Sequence, residues 1–194
     1  FYKNALPNEI PQMSVGLLLD ESGSMCSCDR CTYARSSAII LYDFCKALHI
    51  PVTVYGHSTS GNSVELYSYA EFESINNDDK YRMMDIAARG SNRDGAALRF
   101  VAEQLVKRPE EVKILILVSD GQPAAPGYYG SAAEEDLRGI RQEYRRKGVL
   151  FIAAAIGEDK QNIERIYGDS FMDITDLNQL PVKLTAAVKR HMRV

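Results

Sequence analysis

The stretch Gly16-Leu17-Leu18-Leu19-Asp20-Glu21-Ser22-Gly23-Ser24-Met25 decides the fold. An apolar run stops at a carboxylate, two hydroxyls and a glycine. The run reads as a buried strand over residues 13–19 whose carboxyl end opens into a polar loop. Its nearly continuous apolar character places it centrally in a parallel sheet. In an open α/β sheet, that end of the strands is where ligands bind. The chemistry on offer is all oxygen: Asp20, Ser22 and Ser24 stand two residues apart. Hard divalent cations take such donors. A metal site then requires a second acidic loop from the same edge.

That loop follows the most apolar stretch of the chain. Residues 112–118, Val-Lys-Ile-Leu-Ile-Leu-Val, run into Ser119-Asp120-Gly121-Gln122-Pro123. Asp120 therefore holds the same kind of position as Asp20, directly past a buried strand. A third loop, Gly90-Ser91-Asn92-Arg93-Asp94-Gly95, opens a helix carrying Ala97, Leu98, Val101, Ala102 and Leu105. Asp94 near its start suits the free N–H groups and the positive end of the helix dipole. Three loops at one edge suffice for Mg²⁺, which keeps several waters and needs few protein oxygens. A partner's carboxylate can fill a remaining coordination position.

The remaining elements follow from period and punctuation. Ala34, Ala38, Leu41, Cys45 and Leu48 share one face of a helix predicted over 33–49, with Pro51 behind it. A strand is predicted over 52–56, a turn over 57–62, and a shorter antiparallel edge strand from Val64. Residues 70–90 are mixed, with a short helix over 81–88. The stretch 124–130 reads as a loop with two exposed tyrosines. A helix over 131–147 faces Leu137, Ile140 and Tyr144 inward and is capped by Gly148. A strand over 149–156, a short helix with Ile163 and Ile166, a strand over 171–174 and a closing helix over 177–191 complete the chain. This alternation predicts an α/β fold: a doubly wound, mostly parallel central sheet with one antiparallel edge strand and helices on both faces.

With 194 residues, 45% of them hydrophobic, the chain can bury one substantial core, so a single domain over 12–194 is expected. Residues 1–11, with Pro7 and Pro11, read as a lead-in from a longer chain. A net charge of −3, without a long basic block, argues against a nucleic-acid partner. No apolar run reaches membrane length and no signal-peptide pattern occurs, so no membrane role and a cytoplasmic location are expected. Cys26, Cys28 and Cys31 crowd beside the first loop. A soft-metal or redox site there is one reading. Only Cys28 and Cys31 have CxxC spacing and no second pair follows, so free thiols in a reducing compartment are the plainer one.

Catalytic alternatives fare worse. Gly-x-Ser-x-Gly is absent, as are the GxGxxG and GxxxxGK phosphate loops. His57, just past the second strand, could lie near the site edge but reads first as a surface or turn residue, and His49 and His191 read as helix-closing residues. A Mg²⁺-dependent phosphohydrolase remains an alternative, but it lacks an obvious acid or base and a phosphate-binding Lys or Arg next to the motifs.

Asp20-Glu21-Ser22-Gly23-Ser24 resembles the DxSxS signature of von Willebrand factor A (VWA) domains, their metal-ion-dependent adhesion site. The family's third element, a Thr before a helix, falls at Asn92, and Asp120 in Ser119-Asp120-Gly121 matches the last. Asn92-Arg93-Asp94-Gly95 with Ala97-Leu98, Arg108-Pro109, Lys113-Ile114-Leu115, Val118-Ser119-Asp120-Gly121-Gln122-Pro123, Ile156-Gly157-Glu158-Asp159 and Asp173-Ile174-Thr175-Asp176-Leu177 resemble more narrowly the C-terminal domain of cobaltochelatase subunit CobT and related activators of nitric oxide reductase. The resemblance implies a non-catalytic protein-interaction domain and an AAA+ ATPase partner that inserts a metal or remodels a target. It implies Mg²⁺, or Mn²⁺ or Ca²⁺ in its place, at Asp20, Ser22, Ser24, Asn92, Asp94 and Asp120.

Overall fold

A computed structural model describes residues 12–27, 29–74, 78–121, 123–155, 160–174, 176–179, 182–183, 185–186 and 189. The lead-in predicted for residues 1–11, Cys28, Gln122, the 156–159 stretch and His191 lie outside these residues.

The first strand, β1 (Met13–Asp20), leads through a short 3-10 turn (Gly23–Cys26) into helix α1 (Arg30–Ala47). Strands β2 (Val52–Ser60) and β3 (Ser63–Ala70) form an antiparallel hairpin. A single helical turn, α2 (Asp79–Arg82), continues into a 3-10 turn (Met83–Asp85). Helix α3 (Asp94–Val106) precedes β4 (Val112–Ser119). A two-residue-per-strand hairpin, β5 (Ala124–Ala125) and β6 (Tyr128–Tyr129), then leads into α4 (Gly130–Arg146). Strand β7 (Val149–Ala155), helix α5 (Lys160–Tyr167) and strand β8 (Phe171–Asp173) follow.

The six-stranded sheet has the order β3-β2-β1-β4-β7-β8, and only the β2–β3 pair is antiparallel. The doubly wound architecture is therefore as predicted. Alternate residues of each buried strand enter opposite cores, because successive side chains point to opposite faces. Leu17 and Leu19, with Ile114, Ile116 and Val118, meet Ala34, Ala38, Leu41 and Cys45 of α1. Leu18, Leu115 and Leu117 meet Ala97, Leu98 and Val101 of α3 and Leu137, Ile140 and Tyr144 of α4. Both faces of β1 and β4 are thus covered by helices, which is why neither strand alternates with polar residues. After α4, the Gly148 N–H donates to the Arg145 carbonyl at 3.1 Å with Gly148 at φ 85°, so the predicted cap is present.

Several boundaries differ from the sequence reading. Strand β2 continues through His57 to Ser60, where a turn was expected, because β3 pairs with it residue for residue from Tyr55 to Ser60. The edge strand β3 is eight residues long rather than short. Helix α1 starts three residues early, at Arg30. The helix expected over 81–88 shrinks to α2 and its 3-10 turn. Met83 and Ile86 are that segment's buried apolar anchors, too few to sustain a helical face. The expected loop over 124–130 contains the β5–β6 hairpin, with Tyr129 68% exposed. Leu177–Gln179 is a 3-10 turn, not the start of the closing helix. Among the described residues no helix is long and apolar enough to cross a membrane.

Candidate divalent-cation site

The chain winds from β1 to β2 on one side and returns to β4 on the other, so the connections diverge beside β1. Crevices of this kind, at the carboxyl ends of strands where the winding reverses, are where open α/β sheets hold ligands. The parallel register pairs Leu19 with Val118 and Asp20 with His57. Asp20, Ser119 and His57 therefore arrive level at one edge without any loop rearrangement.

Asp20 is wholly buried, and three donors hold its carboxylate. The Ser22 N–H donates to Oδ1 at 2.8 Å, while the Asn92 amide and the Ser119 hydroxyl donate to Oδ2 at 2.8 and 2.9 Å. Burial raises the Asp20 carboxyl above its ordinary range and the nearby Asp94 adds to this; His57 and the Ser22 bonds act the other way. Next to this carboxylate the Ser22 and Ser24 hydroxyls hydrogen-bond to each other, 2.9 Å apart, oxygen to oxygen, with either able to donate. Two adjacent ligands of an octahedral Mg²⁺, each about 2.0–2.1 Å from the ion, are separated by about 2.9 Å. The hydroxyl pair thus matches one edge of that coordination shell. Asp120, from the facing loop, presents a nearly buried carboxylate. The donor set fits a hard cation.

The third loop is stitched to the first and to the hairpin. The Gly23 N–H donates to the Gly90 carbonyl at 2.7 Å, and the Arg89 N–H to the Glu21 carbonyl at 2.7 Å. Ser91 pairs with Thr59 and Asn92 with Ala124 as isolated bridges. Asn92 is therefore brought to the site, but it meets Asp20 as a donor. Asp94 is the first residue of α3. Its Oδ1 faces His57 Nε2 at 3.1 Å, with both side chains buried. His57 is buried on a strand rather than in a turn, and it takes the place at the site edge that the sequence reading ranks second. Burial pulls its imidazole toward neutrality, but Asp94, then Asp20 and Glu21, outweigh this and raise its pKa.

Two further residues escaped the sequence reading. Glu21 is wholly buried beneath the loop; Tyr69 donates to Oε1 at 2.6 Å, and Arg89 Nε and the Ala87 N–H donate to Oε2 at 2.7 and 3.3 Å. Arg30 corrects the expectation that no Lys or Arg adjoins the motifs: its Nη1 donates to the Ser24 carbonyl at 3.2 Å and to Asp120 Oδ2 at 3.3 Å. The sequence reading leaves Arg30 in the polar loop ahead of the predicted helix, and only the structure shows it as the first residue of α1.

Cys26 is exposed, Cys31 part-buried and Cys45 buried, and all three are free thiols. Cys28 lies outside the described residues. Among the described residues no group of three or more His, Cys, Asp or Glu side chains is arranged to hold a metal ion.

Residues 81–192, more than half of the chain, match the family model described as "Cobalamin biosynthesis protein CobT VWA domain". The chain belongs to this family. As a CobT-type VWA domain it is similar to YojO of Bacillus subtilis (strain 168), with 26% identity over 204 residues, covering 98% of this chain and 32% of that protein. It is also similar to NorD of Brucella suis biovar 1, with 34% identity over 97 residues, covering 48% of this chain and 15% of NorD. The chain thus spans about a third or less of the length of these relatives. Among solved structures, the PilB minor pilin of Streptococcus sanguinis superposes with a TM-score of 0.65 at 14% identity, covering 98% of this chain and 63% of that one. Proximal thread matrix protein 1 of the mussel byssus gives 0.62 at 21% identity, covering 92% and 47%. Both share the fold with this CobT-type domain.

Proposed function

We propose that this CobT-type VWA domain is a non-catalytic docking module whose grip depends on a divalent cation. Mg²⁺, with Mn²⁺ or Ca²⁺ as substitutes, is held by the Ser22 and Ser24 hydroxyls and the Asp120 carboxylate. Asp20 supplies the buried negative charge behind them, and Asn92 and Ser119 orient it. A carboxylate from an AAA+ ATPase subunit completes the coordination shell, within a cytoplasmic metal-insertion or remodelling complex of the cobaltochelatase or NorD kind. The family membership supports the module class. The observation that carries the cation is the 2.9 Å spacing of the two hydroxyls beside the buried Asp20. Asp94 is engaged with His57 and acts from behind the site.

The test has two arms. Mg²⁺ titrated calorimetrically into the domain should bind, and Asp20→Ala should abolish that binding. The purified AAA+ subunit of the same assembly should be retained by the immobilised domain in Mg²⁺ and released by EDTA. Retention that is equal in Mg²⁺ and in EDTA, or unchanged by Asp20→Ala, would rule this function out.

A further inference from the structure

We propose that Arg30 is the site's resident counter-cation: it neutralises Asp120 in the cation-free domain and sets the affinity for a divalent ion by competing for that carboxylate. The proposal rests on the cation-site reading above.

The geometry is specific. Asp29 adopts a left-handed conformation, φ 57° and ψ 18°, immediately before α1. This reversal brings Arg30, the first residue of α1, back over the 3-10 turn that carries Ser24. One nitrogen, Nη1, then reaches both halves of the site: the Ser24 carbonyl of the first loop and Asp120 Oδ2 of the second. The pair is shielded, with the Arg30 side chain 15% exposed and that of Asp120 5%. Solvent and salt therefore screen it far less than a surface pair.

A cation seated on the Ser22 and Ser24 hydroxyls would stand next to the residue whose carbonyl Arg30 already holds. It would draw on the carboxylate that Arg30 already neutralises. Two positive charges then share one anion in a poorly screened edge, where like charges repel over several ångströms. Arginine does not relieve this by losing its proton, since it stays charged at any physiological pH. The ion must displace the guanidinium or bind weakly beside it. Displacement has a second effect. The guanidinium fork turned away from Asp120 matches a carboxylate in geometry. The carboxylate that completes the ion's shell can then accept from Arg30 as well, so cation and partner favour one another's binding.

The experiment compares the wild type with Arg30→Met, which keeps the stem, and Arg30→Gln, which keeps a neutral donor; Asp20→Ala serves as the site control. Mg²⁺ affinity is measured calorimetrically and Tm is measured in EDTA and in saturating Mg²⁺. Both Arg30 variants should bind Mg²⁺ at least tenfold more tightly than wild type. Their Tm should fall below wild type in EDTA, where Asp120 has lost the Arg30 charge, and return to it in Mg²⁺. Equal or weaker Mg²⁺ binding by folded variants, with Asp20→Ala inactive, overturns the role of Arg30 and leaves the cation site standing. No Mg²⁺ uptake by wild type or by either Arg30 variant overturns both.

Discussion

Gly56 and Glu21 occupy one space: a Cβ added to Gly56 would lie 1.7 Å from Glu21 Oε1. The missing side chain on β2 is the room in which the buried carboxylate sits. Gly56→Ala must expel Glu21 from Tyr69 and Arg89 or push the two strands apart. Removing a buried charge from its partners costs about 3–5 kcal/mol, and Gly56→Ala should cost about 3 kcal/mol or more. The urea midpoint of unfolding checks this.

Asn92 holds Asp20 by an amide N–H at 2.8 Å across two loops. Asn92→Ala leaves a buried carboxylate oxygen with Ser119 alone of its two side-chain donors. The loss of a hydrogen bond to a charged group is worth about 1.5–3 kcal/mol. Chemical denaturation should show that loss, and Asn92→Asp, which sets a second carboxylate against Asp20, should be worse than Asn92→Ala in EDTA.

Alkaline pH should weaken the fold through groups held neutral by burial. Burial pushes the Cys45 thiol up to about 12 from 9.0. Burial, with Asp79 beside it, pushes the Tyr42 phenol up to about 12 from 10.0, and burial with the Glu71 hydrogen bond does the same for Tyr55. In each case the folded protein keeps a proton that the unfolded chain releases. The stability is complete below the unfolded value and is lost as pH rises through the folded one. Unfolding free energy should therefore fall from pH about 9 toward pH about 12. Cys45→Ala should flatten the first part of that slope while lowering the plateau at neutral pH.

The thiols should separate by reagent. Cys26 is exposed and Cys45 buried. A thiolate is the reactive form, so Cys45 should stay silent to a disulfide reagent at neutral pH until the domain unfolds, while Cys26 reacts at once. Labelling of Cys45 at the rate of Cys26 in the native protein would contradict the packing of α1 on the sheet.

Arg99 of α3 makes ion pairs with Asp136 at 3.2 Å and Glu143 at 2.8 Å on α4, yet all three side chains are about two-fifths exposed. Exposed pairs contribute little. Arg99→Ala should cost no more than about 1 kcal/mol, and the difference should shrink in high salt. Thermal melts at two ionic strengths measure both effects.

Much of this architecture was legible because burial leaves a one-dimensional trace. The unbroken apolar runs of β1 and β4 announce strands covered on both faces, and the oxygen-rich ends announce the edge that holds Asp20, Ser22, Ser24 and Asp120. What stayed hidden depends on register between distant segments. His57 looked like a turn residue because its neighbours are Gly56 and Ser58. Only its pairing with Asp20 across β1 and its contact with Asp94 explain why a polar strand end is buried. Arg30 looked like part of the polar loop before the helix, because the carboxylate it meets is ninety residues away. The 70–90 stretch resisted reading for a different reason: it is anchored by single side chains, Asp79 to Tyr42 and Glu21 to Arg89, rather than by a repeating face.

The hydroxyls of Ser22 and Ser24 already stand at their coordination spacing, on a loop whose backbone is tied to Gly90 and His57. For the proposed site this has a kinetic meaning. With no ligand loop left to fold, two events remain in loading: Arg30 leaves Asp120, and the ion sheds its own water. Mg²⁺ dehydrates reluctantly and Ca²⁺ does so more readily. The two ions should then differ more in how fast they exchange than in where they sit, and a docked partner's residence time would follow the identity of the ion beneath it.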